Sequence, residues 1–358
     1  MNISRILKLM VEQESSDLFL RANAAPHVRV HGKLRILDAQ VLSKNDMLTI
    51  TDFLLANDNQ REIYAKELDI DFIHQEPGIG RFRVNIFTQR GSPSIVARYV
   101  TDAVHSFEDL NLPVELCRQF CEEPRGLVLV CGPAGSGKST TIASMVEYVN
   151  ATIEKHIVTI EDPIEFLFRD KKSIINQREL GIDVPSYPAA LKHVTQQSPD
   201  IIFIGTIRDE PTMKAAISAA ELGVLVMSTF HTINAIQTIE RIVNFFPPHL
   251  HSEVRMQLSL LLKGVISLRL IPRKDGKGRI PAFETMVVTP TIARLIREGS
   301  ITQIQSFIDE GHLFGMQSFK QSLVKLVKAN MIHEDDARYL ADSRDEFDLE
   351  LRGIKSRH

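Results

Sequence analysis

The stretch Cys131-Gly132-Pro133-Ala134-Gly135-Ser136-Gly137-Lys138-Ser139-Thr140 constrains this chain more than any other. It fits G-x-x-x-x-G-K-[ST], the pattern of a phosphate-binding P-loop. The flanks fit as well. Gly126-Leu127-Val128-Leu129-Val130-Cys131 is a short apolar, β-branched run that reads as a buried parallel strand, and residues 140–149 have helix-compatible composition. Glycines let backbone N–H groups turn inward around a phosphate, and a helix N-terminus adds partial positive charge. Lys138 can reach β- and γ-phosphates, and the Ser139 hydroxyl can ligate Mg²⁺. Residues 132–140 are therefore the candidate nucleotide-binding set. The alternative, a glycine-rich turn that binds nothing, fits poorly with a strand before it and a helix after it.

A chain of 358 residues is long enough for two domains with sizeable cores. Its net charge of −3 gives no basic excess for non-specific nucleic-acid binding, so no nucleic-acid partner is expected. The three cysteines, Cys117, Cys121 and Cys131, are too few for a disulfide framework and lack the spacing of a zinc site. Cys117 and Cys121 lie one helical turn apart and read as packing residues. No signal peptide and no apolar run of about 20 residues appear, so a soluble cytoplasmic protein is expected.

Along the chain, residues 2–14 have helical periodicity, and Ser15-Ser16-Asp17 breaks it. Residues 17–20 and 26–30 read as strands with a turn at Gly32-Lys33, and 44–56 returns to helical spacing. Residues 69–74, 80–87 and 94–100 are strand-like. Arg81, Arg83 and Asn85 alternate with Phe82, Val84 and Ile86, so the polar set faces one way and the apolar set the other. Arg98 points outward on the last of these strands. Residues 1–101 thus form a small α+β domain, and the polar stretch 102–112 reads as a linker. Apolar strands then alternate with helices, which argues an open, mostly parallel sheet. The strand candidates are 127–131, 156–161, 174–177, 200–205 and 223–229, with a later pair at 265–270 and 282–286. Residues 113–290 make the α/β core, and 291–358 are helical and more charged.

Thr159-Ile160-Glu161-Asp162-Pro163-Ile164-Glu165 places three carboxylates just after a strand, where ligands gather in parallel sheets. One carboxylate can orient or deprotonate water, a role for which Glu161 and Glu165 are candidates; another, Asp162, can hold Mg²⁺ through its waters alongside Ser139. A solvated acidic turn is the alternative. Ile201-Ile202-Phe203-Ile204-Gly205 suits a Walker B strand. His231 follows another strand; it is either structural or a group that senses phosphate charge or holds a catalytic water.

Taken together, these motifs resemble the secretion ATPases of the type IV pilus retraction group, the PilT/PilU family. The resemblance covers nearly the whole chain. Besides the P-loop and the acidic box it rests on Ser16-Asp17-Leu18, Arg81-Phe82-Arg83-Val84-Asn85, Asn176-Gln177-Arg178-Glu179, Ser198-Pro199-Asp200, Ile207-Arg208-Asp209, Ala219-Ala220-Glu221, Thr229-Phe230-His231-Thr232 and Gly315-Met316-Gln317. Asn244-Phe245-Phe246-Pro247 and Lys274-Asp275-Gly276-Lys277-Gly278-Arg279 look more like PilU than PilT. The resemblance implies an α/β fold in which a PAS-like α+β domain precedes a RecA-like P-loop ATPase domain and a helical C-terminal region. It implies a homo-hexameric ring that binds ATP between the two domains. Glu165 maps onto the glutamate that activates water, and Arg83 and Arg98 onto arginines that approach the phosphates; a structural salt bridge is the alternative for each arginine. The implied partners are a PilT-like retraction ATPase and an inner-membrane pilus platform protein, through which the ring sits at the cytoplasmic face of the inner membrane and serves twitching motility.

The sequence also departs from the family pattern. Thr206 stands where relatives carry glutamate after the Walker B glycine, Val224 where they carry histidine, Gln196 in place of an arginine and Leu268 in place of a glutamine. A threonine has no charge at neutral pH and cannot replace a carboxylate as base. Three readings follow. One is a retraction motor with hydrolysis weakened at Thr206. Another is a largely non-hydrolysing ring subunit that assists an active relative. The last, a nucleic-acid motor, lacks a basic, aromatic-studded groove.

Overall fold

The alternation at 81–86 becomes a strand whose apolar set, Phe82, Val84 and Ile86, is fully buried. The computed structural model describes residues 3–30, 33–37, 40–100 and 104–354. Gly32 of the expected turn, residues 102 and 103 of the expected linker, and the ends of the chain lie outside those residues. The chain divides into two compact units, one reaching residue 103 and including Glu165–Leu167, the other holding the rest.

In the first unit, β1 (Asp17–Arg21), β2 (His27–Val30), β3 (Lys33–Ile36), β4 (Asp69–Glu76), β5 (Gly80–Gln89) and β6 (Ser92–Val100) form one antiparallel sheet in the order β3-β2-β1-β6-β5-β4. Helix α1 (Ile3–Glu12) buries Ile3, Ile6, Leu7 and Met10, the i, i+3, i+4, i+7 stripe of an amphipathic helix. α2 (Lys44–Leu54) opens with a capping box in which Ser43 and Asp46 satisfy two backbone donors, and it buries Met47, Ile50 and Leu54. α3 (Asp58–Glu67) and β3 went unassigned in the sequence, because neither carries a buried face: β3 is exposed at all four residues and α3 buries none.

The second unit is built on a seven-stranded sheet. Its strands are β7 (Gly126–Cys131), β8 (His156–Glu161), β9 (Ile174–Glu179), β10 (Ile201–Thr206), β11 (Leu225–Phe230), β12 (Leu262–Pro272) and β13 (Arg279–Val287), in the order β13-β12-β7-β11-β10-β8-β9. All neighbours are parallel except β12 and β13. Every residue of β7 and β11 is buried, as the unbroken apolar runs require of strands covered on both faces. The late pair is longer than its apolar centre indicated, because β12 and β13 pair without a break from Gly264 opposite Val287 to Pro272 opposite Arg279. Helices α4 (Val114–Cys121), α5 (Lys138–Thr152), α6 (Tyr187–Val194), α7 (Glu210–Glu221), α8 (Ala235–Asn244) and α9 (His251–Leu261) accompany the sheet, and α10 (Pro290–Glu298), α11 (Ile304–Glu310), α12 (Phe319–Lys328), α13 (Glu334–Leu340) and α14 (Arg344–Leu351) make the helical C-terminal part. Within the stretch expected as linker, Phe107 and Leu112 are buried in this unit's core beside α4. Cys117, Cys121 and Cys131 are free and buried, and burial pushes the thiols of Cys117 and Cys131 up to about 12 and about 11. Among the described residues no helix is long and apolar enough to cross a membrane.

Candidate nucleotide site

The carboxyl ends of four adjacent strands carry the groups that the motifs singled out. The P-loop follows β7, Glu161 ends β8, Thr206 ends β10, and His231 follows β11. Ligands of parallel sheets bind at this edge. The loop needs its glycines. Gly132 has φ +149°, and a Cβ there would stand 2.4 Å from Ser136 Oγ and 2.6 Å from the Leu268 carbonyl oxygen. Gly137, at φ +95°, is the left-handed residue that starts α5. The loop therefore runs into the N-terminus of a 15-residue helix, whose free N–H groups favour an anion.

Lys138 is buried, and its ammonium donates to the Gly132 and Pro133 carbonyls at 2.8 and 2.9 Å. Its Nζ also lies 3.5 Å from His231 Nδ1. Partial burial, then Lys138, then Arg208, lower the pKa of His231 below the ordinary histidine value, so the ring is neutral at pH 7 and can accept from the ammonium. Ser136 Oγ is a buried hydroxyl with no protein partner, and Ser139 and Thr140 are half-buried at the helix start. An orphaned buried hydroxyl, an ammonium and a glycine cradle without room for a Cβ together fit a polyphosphate. A cavity of about 390 Å³ adjoins Pro133 to Ser136 and continues to Arg269, Arg279 and Tyr339.

Glu161 is buried, and its Oε1 accepts from Thr159 Oγ1 at 2.7 Å and from Gln177 Nε2 at 3.2 Å. That carboxylate is tied into the sheet by two donors, whereas Asp162 beside it is exposed. Among the described residues no group of three or more His, Cys, Asp or Glu side chains is placed to hold a metal. Mg²⁺ commonly takes one or two protein oxygens and completes its shell with phosphate and water, so it does not require such a group.

At the end of β10 the pairing with β11 shifts register between Ile204 and Thr206. Thr229 Oγ1 donates to the Gly205 carbonyl at 2.5 Å, and Thr206 Oγ1 lies 2.9 Å from Thr229 Oγ1. Since the Thr229 proton goes to Gly205, Thr206 donates its own to Thr229. Only the lone pairs of Thr206 remain for a water. Val224 and Leu268 are buried in the cores, and Gln196 lies in an exposed turn.

In the first unit Arg83 and Arg98 face each other across β5 and β6, and Asp17 stands directly opposite both Arg98 and Arg29. Like charges opposite one another destabilise a sheet. Here the charges are offset, because Arg98 Nε donates to Asp17 Oδ1 at 2.9 Å and Arg83 Nε to Asp71 Oδ2 at 2.9 Å. Glu165, grouped with this unit, has Oε1 3.9 Å from Arg83 Nη1. The ion pairs left open as an alternative for both arginines are present.

Sequence reasoning missed Tyr187, whose hydroxyl reaches the end of β10. No motif spacing marks it; a loop from β9 brings it there.

The sequence matches the family described as type II/IV secretion system protein over residues 3–322. It is 41% identical over 347 residues to the type IV pilus retraction ATPase PilT of Pseudomonas aeruginosa, covering 97% of this chain and 100% of that one. It is 38% identical over 352 residues to the type IV pilus ATPase PilU of the same organism, covering 98% and 92%. The two identities are nearly equal, so the expectation of a closer likeness to PilU is not settled by them. The fold matches the crystal structure of the pilus retraction motor PilT with bound ADP at a TM-score of 0.89, with 39% identity over 97% of this chain and 98% of that one. The chain belongs to the type II/IV secretion system protein family and, within it, to the type IV pilus retraction ATPases grouped as PilT and PilU.

Proposed function

We propose that this chain is an ATP-hydrolysing subunit of a hexameric motor for type IV pilus retraction and twitching motility. It works at the cytoplasmic face of the inner membrane with a PilT-like ATPase and a membrane platform protein of the pilus. The observation that carries this reading is the buried Lys138, held in its glycine loop at the strand edge that also presents Asp162, Thr206 and His231. Lys138 and the N-terminus of α5 take the phosphates. The cavity beside the loop takes the ribose and base end. Mg²⁺ bound through Ser139 and Asp162 supplies charge neutralisation of the phosphates. His231, neutral and beside Lys138, takes the polar contact to the phosphate end without adding charge. Glu165 is the proposed base, Glu161 a buried acceptor that fixes the acidic box, and Arg83 and Arg98 the arginines that answer phosphate charge. An arginine in that role contributes on the order of 10³–10⁵ in rate.

The hydroxyl chain at Thr206 favours a second reading, a ring subunit that binds nucleotide well and hydrolyses it slowly while an active relative drives the cycle. A missing preorganised charged group costs on the order of 10²–10³ in rate. ADP and ATP affinity of Lys138→Ala tests the shared core of both readings. Loss of binding with retained fold is expected, and unchanged affinity removes the P-loop assignment. Glu165→Gln should keep binding and lose turnover; equal turnover would assign the base elsewhere.

A further inference from the structure

We infer that Tyr339 is the base-binding residue of the nucleotide site: its ring, presented by α13 to the cavity beside the P-loop, takes the face of the nucleobase. The inference rests on the nucleotide-site reading above.

The cavity of about 390 Å³ has two kinds of wall. One is the loop itself, Pro133 to Ser136, whose backbone and buried Ser136 hydroxyl suit a phosphate. The other comes from β12 and α13, through Leu270, Tyr339 and Leu340. Leu270 sits close to the loop, since a Cβ added to Gly137 would lie 3.9 Å from its Cδ1. A polar wall for an anion joined to an apolar wall for a flat ring is the division a nucleotide needs, and the volume falls in the range of small-molecule sites.

Tyr339 is held through both of its neighbours. On one side Arg338 Nε donates to Asp348 Oδ1 of α14 at 2.9 Å. On the other, Arg269 Nη1 donates to the Leu340 carbonyl at 2.7 Å and Arg269 Nη2 to Asp342 Oδ1 at 2.8 Å. The Arg269 guanidinium also lies over the buried Phe319 ring, 3.9 Å from its centroid. Arg269 is thus committed to the protein: it docks the end of α13 onto β12 and is a strut for Tyr339. Ala337, on the same helix, is fully buried. Tyr339 itself stays 77% exposed. An anchored helix that leaves one large aromatic outside its core presents a preorganised ring. Such a ring loses little side-chain freedom when it binds, because a tyrosine has only two side-chain torsions to fix.

The chemistry asked of that ring is stacking. Every nucleobase has a π-face, and removing an aromatic platform lowers affinity for the stacked base by about 5–150-fold. Stacking uses the ring and not the hydroxyl, so phenylalanine should serve as well as tyrosine. It acts on the base and not on the phosphates, so a ligand without a base should be indifferent to Tyr339.

The alternative is a surface tyrosine that borders the cavity and takes no ligand. The experiment titrates ADP and inorganic pyrophosphate into the full chain, as parent, Tyr339→Ala and Tyr339→Phe, beside melting temperatures. Expected for Tyr339→Ala is ADP affinity lower by about 10–100-fold with pyrophosphate affinity unchanged. The melting temperature should also stay unchanged, because truncating an exposed side chain costs little stability. Tyr339→Phe should bind ADP within about twofold of the parent. Unchanged ADP affinity in Tyr339→Ala overturns the inference. So does an equal loss for ADP and pyrophosphate, which would mark a disturbed loop, and so does a Tyr339→Phe variant as weak as Tyr339→Ala. In all three cases a parent that binds both ligands leaves the P-loop reading standing. A parent that binds neither ligand removes that reading and this inference together.

Discussion

Glu284 shows how a single buried charge sets the conditions under which this fold is stable. It sits on β13, 3% exposed, and its Oε1 accepts from Ala235 N at 2.9 Å at the start of α8. Burial pushes the carboxyl up to about 7; the Ala235 N–H and Arg269 oppose the shift, and Asp342 and Asp309 add to it. The folded chain therefore binds this proton more tightly than the unfolded chain, whose value is near 4.5. By linkage the contribution to stability is fully present below about 4.5 and is lost as pH rises through 7. Glu284→Gln keeps an oxygen for Ala235 N–H and removes the charge. Its melting temperature should exceed the parent's at pH 8, by about 2–4 °C for each kcal/mol recovered, and the difference should shrink toward zero near pH 5. An equal difference at both pH values would contradict the assignment.

At the scale of elements, the P-loop is a strand end, a turn without room for side chains, and a helix start. Gly132→Ala places a methyl 2.4 Å from Ser136 Oγ and 2.6 Å from the Leu268 carbonyl, in a backbone conformation that alanine rarely takes. Overpacking of this kind costs about 1–3 kcal/mol. A lower melting temperature and weakened ADP binding should appear together, and normal values of both would contradict the close packing around Gly132. This element was legible in the sequence because its chemistry needs contiguous residues at fixed spacing. The parallel strands were legible as apolar runs, since both faces are covered. β3 and α3 were not, because they bury no face that would impose a period. Tyr187 was not, because a loop carries it to β10 from outside any motif. Nor was the engagement of Glu161 by Gln177, since pairing between β8 and β9 creates it. Phe107 and Leu112 are two apolar anchors within a polar stretch, and average composition hides them.

At the scale of the whole molecule, the chain has two units, each with its own core, and a charged row of Arg29, Asp17, Arg98 and Arg83 across the sheet of the first. We propose nucleotide chemistry at the P-loop sheet and, on the second reading, hydrolysis slowed at Thr206, whose hydroxyl proton is spent on Thr229. The measurement that bears most directly on it is steady-state ATP turnover of the full-length assembly, parent beside Thr206→Glu, at saturating Mg-ATP. The account expects slow turnover in the parent and a rise of about tenfold or more in the variant, roughly 1.4 kcal/mol off the barrier. Brisk turnover in the parent with no rise in the variant would contradict it.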